Sequence, residues 1–360
     1  MRSVSLEVRV ARTFDAFTLD LELSVSSGQT LVVVGESGAG KSTLLRLIAG
    51  LERPDRGGIR VGESVLCDRA TGVELPSWQR SIGYVSQDYA LFPHLTVYEN
   101  VAFGLRAARR PASEIRERLS RSLERLRIAD LGARFPRELS GGQQQRAALA
   151  RALILEPAVL LLDEPLSALD LGTRQSVRGE LRRLLTELPC ATIYVTHHPV
   201  EAMVFGDRVA ALENGRLTQI GSREDLLRRP RSTYVAAFLG VNLFRGPIVD
   251  RENGVARLRA GRGEVLVVDP GGEGDIFAVV NPREIVLFRE PPRGSAQNCF
   301  AGTVAEIIPE PPNGERVRVA LTTDPPLVAE VTEQAVVTLD LKEGTPVFAS
   351  FKATGIEVFR

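Results

Sequence analysis

Lysine is nearly missing from this chain: among 45 basic residues only Lys41, Lys342 and Lys352 are lysines. Arginine fills the other basic positions, so an ammonium marks a place where a compact charge suits the site better than a planar guanidinium. Cysteine is as scarce, and Cys67, Cys190 and Cys299 lie far apart in unlike surroundings. That excludes a disulfide framework or a cysteine metal site and points to a reducing compartment. Net charge is absent, with 45 basic against 45 acidic residues, so no general field draws the chain to nucleic acid or to an anionic membrane. No apolar run approaches the ~18 residues that cross a bilayer, and Met1-Arg2-Ser3-Val4 lacks a signal-peptide core. A cytoplasmic protein is expected. What is present, 44% apolar and 25% charged residues over a length of 360, describes a globular protein of two or three domains.

Lys41 stands inside Gly35, Glu36, Ser37, Gly38, Ala39, Gly40, Lys41, Ser42 and Thr43. This stretch follows the apolar run Leu31-Val32-Val33-Val34 and precedes Leu44-Leu45-Arg46-Leu47-Ile48, which reads as strand, glycine loop and helix. In that setting the G-x-x-x-x-G-K-[ST] pattern is a phosphate site with a mechanism. Glycines let successive backbone N–H groups turn inward, and the helix N-terminus adds unsatisfied donors and a positive dipole end. Lys41 is expected to reach terminal phosphates and Ser42 to coordinate magnesium.

Ahead of this loop, residues 3–26 alternate apolar and polar, as in Val4, Leu6, Val8, Val10 and Leu19, Leu21, Leu23, Val25, which predicts an antiparallel sheet with one face on a core. Phe14 sits between these strands as a candidate for stacking on a nucleobase, although a strand-end phenylalanine is more often core. Further on, Ile82-Gly83-Tyr84-Val85 reads as a short strand leading to Gln87 and an apolar loop with Tyr89, Leu91 and Phe92, a candidate docking surface. Residues 112–131 read as an amphipathic helix with Ile115, Leu119, Leu123 and Leu126 on one face. Ser140 is placed as an N-cap before Gly141, Gly142 and Gln143, making a second anion-receptive helix start. The run Val159-Leu160-Leu161-Leu162 predicts a buried parallel strand delivering Asp163 and Glu164 to its C-terminal end, where open α/β sheets bind ligands. Asp163 can hold magnesium through water, and Glu164 can take a proton from an attacking water. A strand over 191–196 brings His197 and His198 to the same edge, with His197 the functional candidate and His198 a surface neighbour.

These residues, together with Ser167-Ala168-Leu169-Asp170, stand in the order of an ATP-binding cassette protein, and residues 1–235 resemble the nucleotide-binding subunits of that family. The Leu139-Ser140-Gly141-Gly142-Gln143 run is the most diagnostic part. The resemblance implies a P-loop NTPase cassette of α/β class with an antiparallel β subdomain and a helical subdomain at about 88–158. It implies that residues 35–43 bind ATP and Mg2+, that Gln87 senses the magnesium and the water, that Glu164 is the general base and that His197 contacts the γ-phosphate. It also implies that Ser140, Gly141, Gly142, Gln143 and Asp170 act in trans on the ATP of a second subunit. Two phosphate-facing helix starts in one chain point the same way, because the second needs another anion to face, and a two-fold homodimer supplies it.

The helical tail expected over 224–239 looks like that of importer-type ATPases. It leads into an all-β, OB-fold-like regulatory domain of the TOBE or mop type, expected as a linker and first lobe over 236–292 and a second lobe over 293–360. A hairpin turn is expected at Asn313-Gly314. The last lobe resembles the oxyanion lobe of molybdate and tungstate importer ATPases. In that pattern Thr332 and Lys352 would hold the anion, while Gln297, Ala335 and Ala353 stand where arginine or serine is usual. The implied protein is the ATPase subunit of a binding-protein-dependent importer, peripheral on the inner face of the membrane through separate permease subunits and served indirectly by a substrate-binding protein. Molybdate or tungstate is the expected cargo, with sulfate, ferric iron, polyamine or sugar as alternatives. A cassette ATPase acting on DNA or ribosomes would call for a basic surface and long insertions, which the chain lacks. A bare oxyanion-binding module is opposed by the intact Glu164 and His197.

Overall fold

The computed structural model describes residues 5–14, 17–309 and 315–360, and the chain divides into two compact units, Met1–Arg223 and Glu224–Arg360. The first unit begins with β1 (Leu6–Thr13) and β2 (Thr18–Val25), paired antiparallel with Val8 opposite Leu23. Their alternation puts one set of side chains inward and leaves the other in water. After β3 (Thr30–Val34) and α1 (Lys41–Ala49), the strands β4 (Arg56–Val61), β5 (Ser64–Asp68) and β6 (Val73–Glu74) complete an outer sheet in the order β2-β1-β4-β5-β6.

The chain then runs through β7 (Ile82–Val85), α2 (Val97–Ala107), α3 (Ala112–Arg125), α4 (Gly141–Leu153), β8 (Val159–Asp163), α5 (Leu171–Glu187), β9 (Ala191–Val195) and α6 (Pro199–Phe205). It closes with β10 (Arg208–Glu213) and β11 (Arg216–Ser222). The central sheet has the order β11-β10-β3-β9-β8-β7 and is parallel apart from the β10-β11 hairpin. Every residue of β3, β8 and β9 is buried, as strands covered on both faces require. One core runs from the outer sheet through Leu44, Leu45, Leu47 and Ile48 of α1 to the central sheet. The far end of α1 is held by Arg80, which donates to the carbonyls of Leu47 (2.9 Å) and Ile48 (2.8 Å) and pairs with Glu74 at 2.7 Å.

Helices α2, α3 and α4 build a core of their own from Val101, Leu105, Leu123, Ala147 and Ile154, with Ile115, Leu119 and Leu126 packed against it. The helix expected to reach residue 131 stops at Arg125. Arg127 turns into the left-handed region at φ 55°, the Ile128 N–H donates to the Leu123 carbonyl at 2.9 Å, and Ile128 thereby enters the core fully buried.

In the second unit the single expected tail is two helices, α7 (Arg223–Arg228) and α8 (Thr233–Leu239). Pro230 lies between them, without an N–H and with a disfavoured helical neighbour, and Ser232 restarts the chain by accepting from the Val235 N–H at 3.1 Å. There follow β12 (Asn242–Glu252), β13 (Val255–Ala260), β14 (Gly263–Val268), β15 (Asp275–Val280), β16 (Val286–Phe288), β17 (Asn298–Pro309), β18 (Arg316–Leu321) and β19 (Leu327–Thr332). The unit ends with α9 (Glu333–Thr338), β20 (Pro346–Phe351) and β21 (Ile356–Phe359). They form two five-stranded sheets, β14-β13-β12-β15-β21 and β16-β20-β17-β18-β19.

The Pro- and Gly-containing stretch at 290–294 does not separate these sheets. β16 lies before it yet pairs with β20, and the final strand β21 returns to β15. The sheets share one core that includes Phe244, Leu258, Val319, Ala349 and Phe351. Buried Asn242 stitches them by donating to the carbonyls of Val280 and Val328 and accepting from the Val328 N–H. β17 and β18 pair antiparallel as expected, and the Asn313-Gly314 turn lies outside the described residues.

Candidate active site

The glycine loop joins the C-terminal end of β3 to α1, and its geometry excludes side chains at two points. A Cβ on Gly35 would stand 2.3 Å from the Leu212 carbonyl oxygen. Gly40, the N-cap of α1, has φ 103°, and a Cβ there would meet Leu19 at 2.9 Å. The loop therefore packs too closely against Leu212 and Leu19 to admit a side chain at either point. Lys41 is 8% exposed and folds back to donate to the carbonyls of Gly35 (2.8 Å) and Glu36 (2.7 Å). Burial lowers its pKa, and the nearby carboxylates of Glu164 and Asp163 pull it back up. An ammonium in a desolvated cradle with two backbone carbonyls as its hydrogen-bond acceptors suits a multiply charged anion, which would draw it outward.

β8 delivers Asp163 and Glu164 beside this loop. The Ser42 hydroxyl donates to Asp163 Oδ1 at 3.3 Å, and the Tyr84 hydroxyl on β7 donates to Oδ2 at 3.4 Å. Burial raises the Asp163 pKa, the Ser42 hydrogen bond opposes this, and the Glu164 charge adds to the rise. Burial with the Asp163 charge pushes the Tyr84 phenol up to about 12. A buried carboxylate converging with a serine hydroxyl fits a divalent cation, whose charge would favour the ionised form. Among the described residues no group of three or more His, Cys, Asp and Glu makes a ready cage. An ion here would complete its shell with nucleotide oxygens and water.

Glu164 adopts the left-handed conformation, φ 45°, unusual for a residue with a Cβ. Its N–H donates to the Val195 carbonyl at 3.0 Å and its own carbonyl accepts from Ser167 Oγ at 2.8 Å, so the strained residue is held from both sides. Its Oε1 lies 3.0 Å from His197 Nδ1. Lys41, Ser42, Asp163, Glu164 and His197 thus gather from three parallel strands at one edge of the sheet.

Gln87 lies exposed in the turn after β7. Phe14 is half-buried, stacked on Phe17 with centroids 5.1 Å apart, and the Arg12 guanidinium stands 5.5 Å over its ring. Ser140 caps α4 in a reciprocal box with Gln143, and Asp170 caps α5 by accepting from the Thr173 N–H at 3.0 Å. That backbone hydrogen bond lowers the Asp170 pKa. The two caps pack together: a Cβ on Gly141 would lie 3.1 Å from Leu169, and one on Gly142 would lie 3.4 Å from Thr173 and 3.5 Å from Val177. In the second unit Thr332 caps α9 through the Ala335 N–H at 3.2 Å and Lys352 is exposed. Thr332 ends β19 and Lys352 follows β20, and these two strands are separated in the sheet by β17 and β18.

The structure alters two expectations around the site. Tyr89 is 3% exposed, and its hydroxyl donates to the Pro165 carbonyl at 3.1 Å. It anchors the loop after Gln87 to the Glu164 segment and is no part of a docking surface. The apolar face is made by half-buried Phe92 and exposed Phe103, whose rings meet at a tilt with centroids 4.6 Å apart. His198 is half-buried, with Nε2 3.2 Å from Arg174 Nη1, and burial lowers its pKa.

Sequence reasoning passed over Tyr84, Arg174 and Glu201. Fully buried Glu201 accepts from the hydroxyls of Tyr194 (2.9 Å) and Thr196 (2.8 Å). Two of them left a trace in spacing, since Arg174 follows Asp170 by four residues and Glu201 follows His197 by four, the interval at which helical neighbours meet a preceding turn.

Residues 19–167 match the family model described as ABC transporter, and residues 294–358 match the TOBE domain. The chain is 47% identical over 221 residues to the trehalose/maltose import ATP-binding protein of Thermococcus litoralis, which covers 61% of this chain and 59% of that one. It is 40% identical over 343 residues to the molybdenum import ATP-binding protein of Mycobacterium tuberculosis, covering 93% of this chain and 92% of the relative. With the molybdate/tungstate import ATP-binding protein of Pyrococcus horikoshii it shares 37% identity over 354 residues, 97% of this chain and 98% of the other.

Proposed function

Because this chain belongs to the ABC transporter family, as an import ATP-binding protein, we propose that it hydrolyses ATP as a homodimer to drive molybdate or tungstate uptake through separate permease subunits. The convergence of Lys41, Ser42, Asp163, Glu164 and His197 carries the ATPase reading. Residues 35–43 bind the phosphates on backbone N–H groups and the Lys41 ammonium, and Phe14 offers a face for the base. Ser42, Asp163 and Gln87 would hold magnesium, which would supply positive charge against the phosphates. Glu164 accepts the proton of the attacking water from a fixed direction, and His197, paired with it through Nδ1, contacts the γ-phosphate. Positioning and electrostatics account for the rate, as in other phosphoryl transfers. Ser140, Gly141, Gly142, Gln143 and Asp170 face the ATP of the second subunit, and closure on ATP followed by opening after hydrolysis is the mechanical output.

No helix among the described residues is long and apolar enough to cross a membrane; the reading that separate permease chains carry the cargo rests on the relatives named as import ATP-binding proteins. The face of Phe92 and Phe103 is the surface we offer to those chains, and the relatives named as import ATP-binding proteins support a seat on the inner side of the membrane. Cargo follows from relatives named for molybdenum or tungsten that match more than nine tenths of the chain, second unit included. A sugar cargo is the second reading, favoured by the higher identity to a trehalose/maltose protein over a shorter span of 221 residues.

Glu164→Gln tests the engine. ATP should remain bound, the dimer should accumulate on size exclusion, and turnover should fall at least about 10²-fold; unchanged hydrolysis would remove Glu164 as the base. Uptake into vesicles carrying the cognate permease, with molybdate, tungstate, sulfate and maltose supplied separately, tests the cargo. Uptake of sulfate or maltose alone would overturn it.

A further inference from the structure

One guanidinium spans two turns that serve different halves of the site. Arg174, in the first turns of α5, donates from Nη2 to the carbonyls of Ser167 (3.3 Å) and Leu169 (3.0 Å), while its Nη1 stands 3.2 Å from His198 Nε2. The carbonyls belong to the turn that delivers Asp170. His198 belongs to the turn after β9. Its N–H donates to Thr196 Oγ1 at 3.0 Å, its ring centroid is 4.0 Å from that of His197, and His197 reaches Glu164 at 3.0 Å. Buried Glu201 accepts from the hydroxyls of Thr196 and Tyr194, so the strand end from which the histidine turn departs is held from behind. On the opposite side the 167–170 turn packs under Gly141, at the start of the helix that carries Ser140 and Gln143. A continuous set of contacts therefore runs from residues 140–143 and Asp170, through Arg174, to His197 and Glu164.

We propose that Arg174 is a positioning residue which locks the 167–170 turn to the 197–198 turn, so that seating of one subunit's residues 140–143 and Asp170 on the partner's ATP is felt at its own His197 and Glu164. This rests on the dimeric ATPase reading. The guanidinium suits the role because its donors form a rigid fork, able to satisfy two carbonyls and a ring nitrogen at once. An ammonium is a single point and cannot hold both turns in register. Accepting at Nε2 also leaves the His198 ring proton on Nδ1, which fixes how the ring is turned against His197. Closure that shifts the 167–170 turn must either break these bonds or carry the histidine turn with it, and the two alternatives make the element two-state rather than compliant.

A double-mutant cycle tests this on the full-length protein, with Arg174→Gln, Arg174→Lys, His198→Ala and Arg174→Gln/His198→Ala compared by ATPase titration and by binding of MgATP to the monomer. Each single variant should lose about fivefold or more in kcat, keep monomer affinity for MgATP within about twofold, and bring the Hill coefficient from near two toward one. The double variant should be no slower than the worse single. Losses that multiply, or single variants with wild-type kcat and cooperativity, overturn the proposal. His198→Ala removes only one of the three contacts and keeps the test open if Arg174→Gln fails to fold. Glu164→Gln separates the two readings: an ATP-driven dimer there, with unchanged cooperativity in the Arg174 and His198 variants, overturns this inference alone, whereas no dimer overturns the reading beneath it as well.

Discussion

Asp163 shows function and stability opposed within one side chain. Its folded pKa is raised, chiefly by burial, so the fold binds the carboxyl proton more tightly than the unfolded chain does. The stabilisation from that proton is complete below the unfolded carboxylate range and is lost as pH rises through the folded value. At neutral pH the buried ionised carboxylate therefore weighs against the nucleotide-free fold. Asp163→Asn keeps an oxygen for the Ser42 hydroxyl and removes the charge. It should raise the Tm of the nucleotide-free protein by ~2–4 °C while abolishing magnesium-dependent hydrolysis. Scanning calorimetry at pH 7 without nucleotide checks the first part, and an unchanged or lower Tm would show that the charge is already compensated. The place of Asp163 and Glu164 at the end of a buried parallel strand was legible, because the apolar run before them spans one strand and stops at the two acids. Neither the left-handed backbone of Glu164 nor the Tyr84 contact was legible, since both depend on β7 and β9 lying on either side of β8.

At the scale of elements, the helix starts were the most readable features. Ser140 before two glycines caps α4 as expected, in a box with Gln143. Helix ends were harder to place. α3 stops early because Ile128 gains a core position by turning back, a tertiary reward that periodicity cannot anticipate. The loop after Gln87 is held by forces invisible in its composition: Arg151 donates to the carbonyls of Ala90 (2.7 Å) and Tyr89 (2.9 Å), and Asn100 donates to those of Phe92, Leu95 and Thr96. With its backbone so fixed, the loop presents Phe92 against Phe103 of α2 as a firm apolar face. Phe103 is 47% exposed, so Phe103→Asp should leave stability within about 1 kcal/mol. If this face meets the permease, the substitution should cut permease-stimulated ATPase and uptake by about tenfold or more while basal MgATP binding persists. Normal uptake by Phe103→Asp would move the docking surface elsewhere.

At the scale of the molecule, each unit has its own core, and the phosphate loop belongs wholly to the first. Heating should therefore give two transitions, and saturating MgATP should raise only the one belonging to the first unit, by about 2.7 kcal/mol at a concentration 100 times Kd. Calorimetry with and without MgATP reads this directly, and a single transition that shifts as a whole would mean the units unfold as one. The second unit was legible as all-β from its short alternating strands. Its pairing was not legible, because β16 and β21 each cross to a sheet whose other members lie elsewhere in sequence.

The sequence by itself determined the order of chemistry along the chain: a phosphate loop between strand and helix, a second capped helix start, two acids and a histidine at strand ends. Those are local facts, carried by glycine sterics, capping hydroxyls and apolar runs, and each is complete within about ten residues. Only the tertiary structure decided which of them meet. Ser42 and Asp163 are 121 residues apart and share a hydrogen bond, and Arg174 reaches His198 across 24. The parallel order β3-β9-β8-β7 brings those strand ends to one edge, and strand order is set by burying whole faces against each other, a property of the packed layers that no local segment carries.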